Sequence, residues 1–230
     1  MLDNSMFFYT FLTLLCYMFG VFLQKKYKKA WLNPLLISIV LMIIVVLGFK
    51  IDYKHYKEST SLLSFFLTPA TVCLAIPLYE KLEELKKNVV AILVGIFSGT
   101  IISAVSILAV AIAFKFDSEL FASFIPKSVT TAIGVGMAEE LGGISALTAI
   151  SIVVTGVFGN IIAEPVCRIF KITNPVAIGT AIGTSSHAGG TAKALEMGRT
   201  EGAISGLSIA VAGLMTVIVA PMFVKLFELI

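Results

Sequence analysis

The sequence predicts an all-α, multi-pass membrane protein with broken helices and an internal repeat. Three observations predict it. The 230 residues are 58% hydrophobic and only 13% charged, whereas soluble domains run nearer about a quarter charged. Apolar runs of about twenty residues, the length that crosses hydrocarbon, recur along the chain. Among them sits Gly179–Gly198 (GTAIGTSSHAGGTAKALEMG), which packs glycine, small hydroxyls and one histidine into a single stretch. Lipid satisfies no backbone hydrogen bonds, so a break there survives only when buried in protein or lining a wet cavity.

The elements follow in order. Met6–Leu23 is a first span; Asp3 precedes it and Lys25, Lys26, Lys28 and Lys29 follow it. That charge order does not fit a cleaved secretory signal, and it places the end of the span in the cytoplasm. Trp31–Phe49 is a second span, with Trp31 at the interface. Lys50–Ser61 reads as a polar loop with His55 solvated. Leu62–Tyr79 is apolar but carries Pro69 and Pro77, each of which removes a backbone donor. After the charged stretch Glu80–Asn88, Val89–Phe114 is a long span dotted with Gly95, Ser98, Gly99, Thr100, Ser103 and Ser106. Small residues at that density suit close helix packing, within the chain or with a partner.

Lys115–Ile125 reads as a loop, and Pro126–Gly143 as an element that starts a helix at its proline. Ile144–Ala163, Pro175–Met197 and Ala203–Leu229 complete about seven or eight membrane elements. The three cysteines, Cys16, Cys73 and Cys167, lack metal-ligand or CxxC spacing and read as small core residues. No metal or cofactor is expected. The net charge of +3, with lysines gathered in loops, suits a membrane protein and not a nucleic-acid binder. No serine elbow, P-loop or zinc-protease motif is present, so the chain does not read as an enzyme.

Two stretches repeat. PATVCLAIPLYEKLEEL from Pro69 lies on PKSVTTAIGVGMAEELG from Pro126 at an offset of 126 − 69 = 57, so that Thr71 meets Ser128 and Glu83 meets Glu140. GIFSG at Gly95 resembles GVFGN at Gly156, offset 156 − 95 = 61. The repeats cover about residues 32–115 and 120–230 of a single domain spanning 1–230. Paired, broken segments of this kind point to a transporter's binding site at the repeat interface.

The candidate binding residues lie in two elements. Ser128, Thr130 and Thr131 sit near a presumed half-helix N-terminus, where hydroxyls and free N–H groups can hold a carboxylate. Their repeat counterpart Thr71 joins them. Lys127 either neutralises a substrate charge or anchors at the interface. In the glycine-rich stretch the candidates are Thr184, Ser185, Ser186, His187, Gly189, Gly190 and Thr191. His187 either contacts an anion and carries a proton or holds the broken helix together. Thr191 is placed to cap the second half-helix, and Lys193 and Glu196 are placed to pair. Asn160 is a lone amide at membrane depth, available to a substrate or to a neighbouring helix. Glu140 and Glu139 are acidic groups either at membrane depth, where Glu140 could couple a proton, or in water at the end of the segment.

TPATVCLAIPLY (Thr68–Tyr79), PKSVTT (Pro126–Thr131), ELGGISALTA (Glu140–Ala149) and GTSSHAGGTAKALE (Gly183–Glu196) resemble the LrgB family, also called CidB-like or antiholin-like proteins. The likeness covers essentially the whole chain, with Ala132 standing where the family usually has proline. That family is similar to the membrane domain of plastid glycolate/glycerate transporters. The resemblance implies a multi-pass protein of the cytoplasmic (inner) membrane that homo-oligomerises and works beside a small LrgA/CidA-type membrane partner. It implies either a secondary transporter of small organic anions (pyruvate, glycolate or glycerate) or an antiholin-like regulator of murein hydrolase activity and cell lysis.

Overall fold

The computed structural model describes residues 6–27, 34–63, 65–66, 69, 79 and 82–229. All regular structure among them is helical: α1 (Met6–Tyr27), α2 (Pro34–Gly48), α3 (Tyr53–Ser59), α4 (Leu82–Phe114), α5 (Ser118–Phe124), α6 (Thr131–Glu140), α7 (Ser145–Ile169), α8 (Pro175–Met197) and α9 (Arg199–Glu228). The chain is a multi-pass membrane protein. Four helices among the described residues are long and apolar enough to cross a bilayer: Phe7–Tyr27, Lys86–Phe114, Ser145–Ile169 and Arg199–Glu228. α2 is apolar but shorter. Most of the expected third segment, Leu62–Tyr79, lies outside the described residues, and with it much of the stretch of the first repeat that aligns with Pro126. The chain divides into two compact units, residues 1–73 and 74–230.

In the first unit, Gly20 lets α1 approach the start of α2 closely: a Cβ there would sit 2.8 Å from the Pro34 backbone. The stretch read as a solvated loop instead contains α3. Asp52 caps it by accepting from Lys54 N at 2.9 Å. Its packed face then docks on α1, with Thr10 Oγ1 donating to Ser59 O (3.0 Å). His55 is accordingly half-buried, edge-on to the Tyr9 ring at 5.8 Å. A polar composition hid a helix whose order comes from one cap and one docking face.

The second unit is organised around α8. Gly95 and Gly99 of α4 abut the methyl groups of Thr180 and Thr184. On α9, the Glu201 carbonyl and Ile204 face Gly179, while Ser205 and Ser208 face Gly183. The small-residue faces of α4 and α8 are therefore used inside the chain. Apolar packing continues around them, with Ile107, Phe121, Met137 and Val219 joining α4, α5, α6 and α9. The polarity runs inside out. Val94, Phe97, Val154, Phe158, Leu214 and Ile218 point outward, whereas Thr100, Thr148, Thr184, Thr191, Ser205 and Ser208 are buried. Each of these buried hydroxyls has a hydrogen-bond partner, and no buried side-chain polar atom among the described residues lacks one.

The glycines on α8 mark where backbones meet, so bulk there should break the fold. Gly183→Leu would drive a side chain into Ser205 and Ser208 and should destabilise the protein by about 1–3 kcal/mol. Gly206, whose Cβ position is open inside α9, should accept alanine and gain about 0.5–1 kcal/mol from helix propensity. Thermal unfolding of the detergent-solubilised protein, followed by far-ultraviolet circular dichroism, checks both.

Candidate functional site

α8 does not cross the membrane as one rod. At His187 the backbone takes φ 41° and ψ −141°, and the helix folds back on itself. A Cβ on Gly190 would sit 2.8 Å from Ile182 Cγ2, eight residues earlier, where a straight helix would separate the two by about 12 Å. Ala194 clusters with Ile178 and Ile182. The two arms, 175–186 and 188–197, thus begin and end at the same end of α7. The tip rests on Gly156, thirteen residues before the end of α7, which is about 20 Å along its axis. A hairpin that enters and leaves from one side at that depth is a re-entrant element, tolerated because it is enclosed by α4, α7 and α9.

The tip is held by specific bonds. A carbonyl can only accept, so His187 Nε2 carries the hydrogen that it donates to Ile152 O at 2.9 Å. Asn160 Nδ2 donates to Gly189 O (2.8 Å). Thr191 Oγ1 donates to His187 O (2.9 Å) and shares a second hydrogen bond with Ser205 (2.7 Å). Gly156 and Gly159 supply the bare face of α7: a Cβ at Gly156 would strike the His187 ring, and one at Gly159 would strike Ser186. Thr191 does not cap the second arm as expected. The arm starts directly after His187, so position 191 already lies inside it and bonds back one turn. Asn160 serves the tip's backbone, the interhelical alternative.

The Pro126 element also differs from expectation. Pro126, Lys127 and Ser128 lie in successive turns, and α6 begins only at Thr131. Ser128 therefore does not stand on a half-helix N-terminus. It shares a hydrogen bond with Ser103 of α4 (3.1 Å) and accepts one from Lys127 Nζ (3.1 Å). Thr130 occupies the N-cap position of α6 without a side-chain capping bond, and Thr131 is exposed. Glu139 and Glu140 are exposed at the end of α6, where Glu139 accepts from Ser145 Oγ (2.8 Å). Thr71 lies outside the described residues.

Three spaces connect these groups. Ser128 and Thr184 line a cavity of about 10 Å³ with Thr100, Ser103 and Thr216, about the size that admits one water. Ser185, which is exposed, and Ser186, which is buried, share a hydrogen bond (3.0 Å). They face, with Lys127, a groove of about 420 Å³ along the α7–α8 seam. At the far end of that seam opens a vestibule of about 630 Å³ lined by Glu164, Arg168, Lys171, Lys193, Glu196 and Glu201. There Lys193 bridges Glu164 of α7 (3.0 Å) as well as the expected Glu196 (3.3 Å). The hydroxyls of Thr100, Ser205 and Thr216 were not singled out as site residues. Their signal was a small polar group in an otherwise apolar span, which packing explains equally well.

Comparison with known proteins bears on the whole chain. The family model described as the LrgB-like family matches residues 13–226. Holin-like protein CidB of Staphylococcus aureus is 34% identical over 216 residues, 94% of this chain and 94% of that protein. Antiholin-like protein LrgB of Bacillus subtilis is 36% identical over 208 residues, 90% of each. YwbG of Bacillus subtilis, named as uncharacterised, is 35% identical over 211 residues, 92% of this chain and 94% of that protein. No solved structure matches.

The positive φ at His187 gives a test of the tip. Glycine adopts this conformation readily and alanine does not, so His187→Ala retains the strain while losing the bond to Ile152. His187→Gly should be the more stable variant by about 1 kcal/mol, reversing the helix-propensity order. Melting curves of the two purified variants, measured side by side, check the order.

Proposed function

Because the chain belongs to the LrgB-like family, we propose that it acts as a holin- or antiholin-like membrane protein. In this reading it controls the permeability of the cytoplasmic membrane and, through it, murein hydrolase activity and cell lysis. The observation that carries the reading is the end-to-end match to relatives named holin-like and antiholin-like, over 90% or more of each chain. A small LrgA/CidA-type membrane protein is the partner we propose, with homo-oligomers as the working form. The exposed apolar faces of the spans provide surface for either assembly.

One specific observation favours a second reading, a secondary transporter of small monocarboxylates such as pyruvate, glycolate or glycerate. It is the re-entrant hairpin. Burying a broken helix and its polar groups at membrane depth is costly, and helix packing alone gives no reason to keep it. Discontinuous elements of this kind are what transporters use to face a solute. Of the two proton carriers considered, His187 stands at the hairpin tip, whereas Glu140 is exposed at the end of α6. His187 is the better placed. The two readings are compatible if solute movement is how the protein influences lysis.

Expression in a bacterium deleted for its own relatives tests the first reading, with and without the small partner. Autolysis rate and murein hydrolase activity should change with wild-type protein and return to the empty-vector level with Gly189→Leu, which cannot seat the tip against Gly156. Unchanged autolysis with fully inserted wild-type protein would overturn it. For the second reading, liposomes holding purified protein should take up labelled pyruvate saturably, faster with an inward proton gradient. His187→Ala should cut that uptake at least roughly a hundredfold, the lower end of the scale on which proton-transfer groups act. Absence of uptake, with or without the partner, would remove the transporter reading.

A further inference from the structure

Lys127 stands where a lysine is costly. Its ammonium donates to Ser128 Oγ, which in turn is bonded to Ser103. Ser103 is eleven residues from the nearer end of the span Lys86–Phe114, which is about 16 Å along its axis. A four-carbon stem does not cover that distance, so the charge does not snorkel to the surface. Among the described residues no carboxylate pairs with it, and its hydrogen-bond partner is the neutral Ser128 hydroxyl. A half-buried cation in hydrocarbon with no counter-charge marks a functional group by default.

The space that it faces has a definite chemistry. Ile162, Ala163 and Ile182 form the inner side of the groove, the outward-facing Val154, Phe158 and Val166 form its rim, and its polar groups among the described residues are Lys127, Thr155, Ser185 and Ser186. Among the described residues no acidic side chain lines it. Cys167 and Ile172 belong both to this groove and to the charged vestibule, so a wet mouth adjoins an apolar passage that ends at one positive charge. Its volume of about 420 Å³ falls in the range of small-molecule sites.

We propose that the α7–α8 groove is a binding site for a small carboxylate with an aliphatic body, that Lys127 is its charge partner, and that the vestibule is its entrance. The carboxylate meets Lys127 and the Ser185–Ser186 pair, and the alkyl chain lies along Val154, Phe158 and Ile162. The site adjoins the hairpin tip through Gly159 and Ser186, but His187, committed to Ile152, does not line it. It deepens the solute-carrying reading and rests on it for translocation only, because binding is measured separately.

The apolar wall makes the test sharp. Purified protein in nanodiscs is assayed for binding of labelled butyrate, with acetate, propionate, valerate and glycolate as competitors. Each added methylene should tighten binding roughly fourfold, the transfer free energy of one buried CH₂, and glycolate should compete no better than acetate. Lys127→Gln should weaken butyrate binding at least tenfold, while Lys127→Arg stays within about threefold. Ile162→Trp, which fills the groove and leaves the charge, should abolish binding; it keeps the test valid if Lys127→Gln does not fold. No butyrate binding by the wild type, affinity independent of chain length, or butyrate binding retained in folded Lys127→Gln or Ile162→Trp would overturn the site. Binding without uptake in liposomes would remove the transport reading and leave the groove standing. Uptake that survives Lys127→Gln would do the reverse.

Discussion

The second unit depends on resolving a helix break inside hydrocarbon. Where α8 turns back at His187, backbone groups leave the helical ladder with no water to receive them, and each left unpaired would cost several kcal/mol. The structure answers with side chains at fixed points. Asn160 takes the Gly189 carbonyl, Thr191 takes that of His187, and the His187 ring ties the tip to α7 through Ile152 O. Close approach is the second half of the solution. Gly156 and Gly159 clear one face of α7, and Gly189 and Gly190 remove bulk from the tip, so that backbone meets backbone. Neither device works alone, because the bonds reach only when the helices touch.

That constraint explains the inside-out distribution of polarity. Helices in lipid gain little from burying apolar surface against each other, so tight contact and hydrogen bonding hold them together. Serine and threonine serve both ends. Thr100, Thr184, Ser208 and Thr216 donate to the carbonyl four residues back, which satisfies the hydroxyl while keeping the side chain short. Thr100, Thr184 and Thr216 also contribute to the polar lining of the small cavity at Ser128. The outer faces of α4, α7 and α9 then meet lipid with mostly apolar side chains, and the exposed Ser98 and Ser106 of α4 turn their hydroxyls back to the carbonyls of Gly95 and Ser103.

The same economy makes Lys127 conspicuous. Its charge serves no ion pair among the described residues. The hairpin tip and the groove consequently have different characters. The tip is a closed network in which histidine, asparagine and threonine are committed to backbone, and the groove is open, apolar and ends in a charge. A functional role for the tip runs through its integrity and conformation; one for the groove runs through what it can hold.

Composition, span length and glycine spacing were enough to identify a helical membrane protein and to mark Pro175–Met197 as its broken element, because burial in lipid imposes those features on local sequence. The bounds of that element match the helix found. The family resemblance was legible in part for the same reason: one of its motifs, Gly183–Glu196, holds residues that make the break possible. Local sequence could not say that α8 folds back instead of kinking, since the reversal is decided by Ile182 meeting Gly190 and by Lys193 meeting Glu164. It misplaced the start of α6 because Ser128 takes its partner from α4, twenty-five residues away. It read α3 as loop because the docking face that orders α3 belongs to α1. The sequence by itself determined that this is a helical membrane protein and that Pro175–Met197 must break. Tertiary structure alone decided which polar group answers which break, because those partners lie on different helices and meet only when the helices pack.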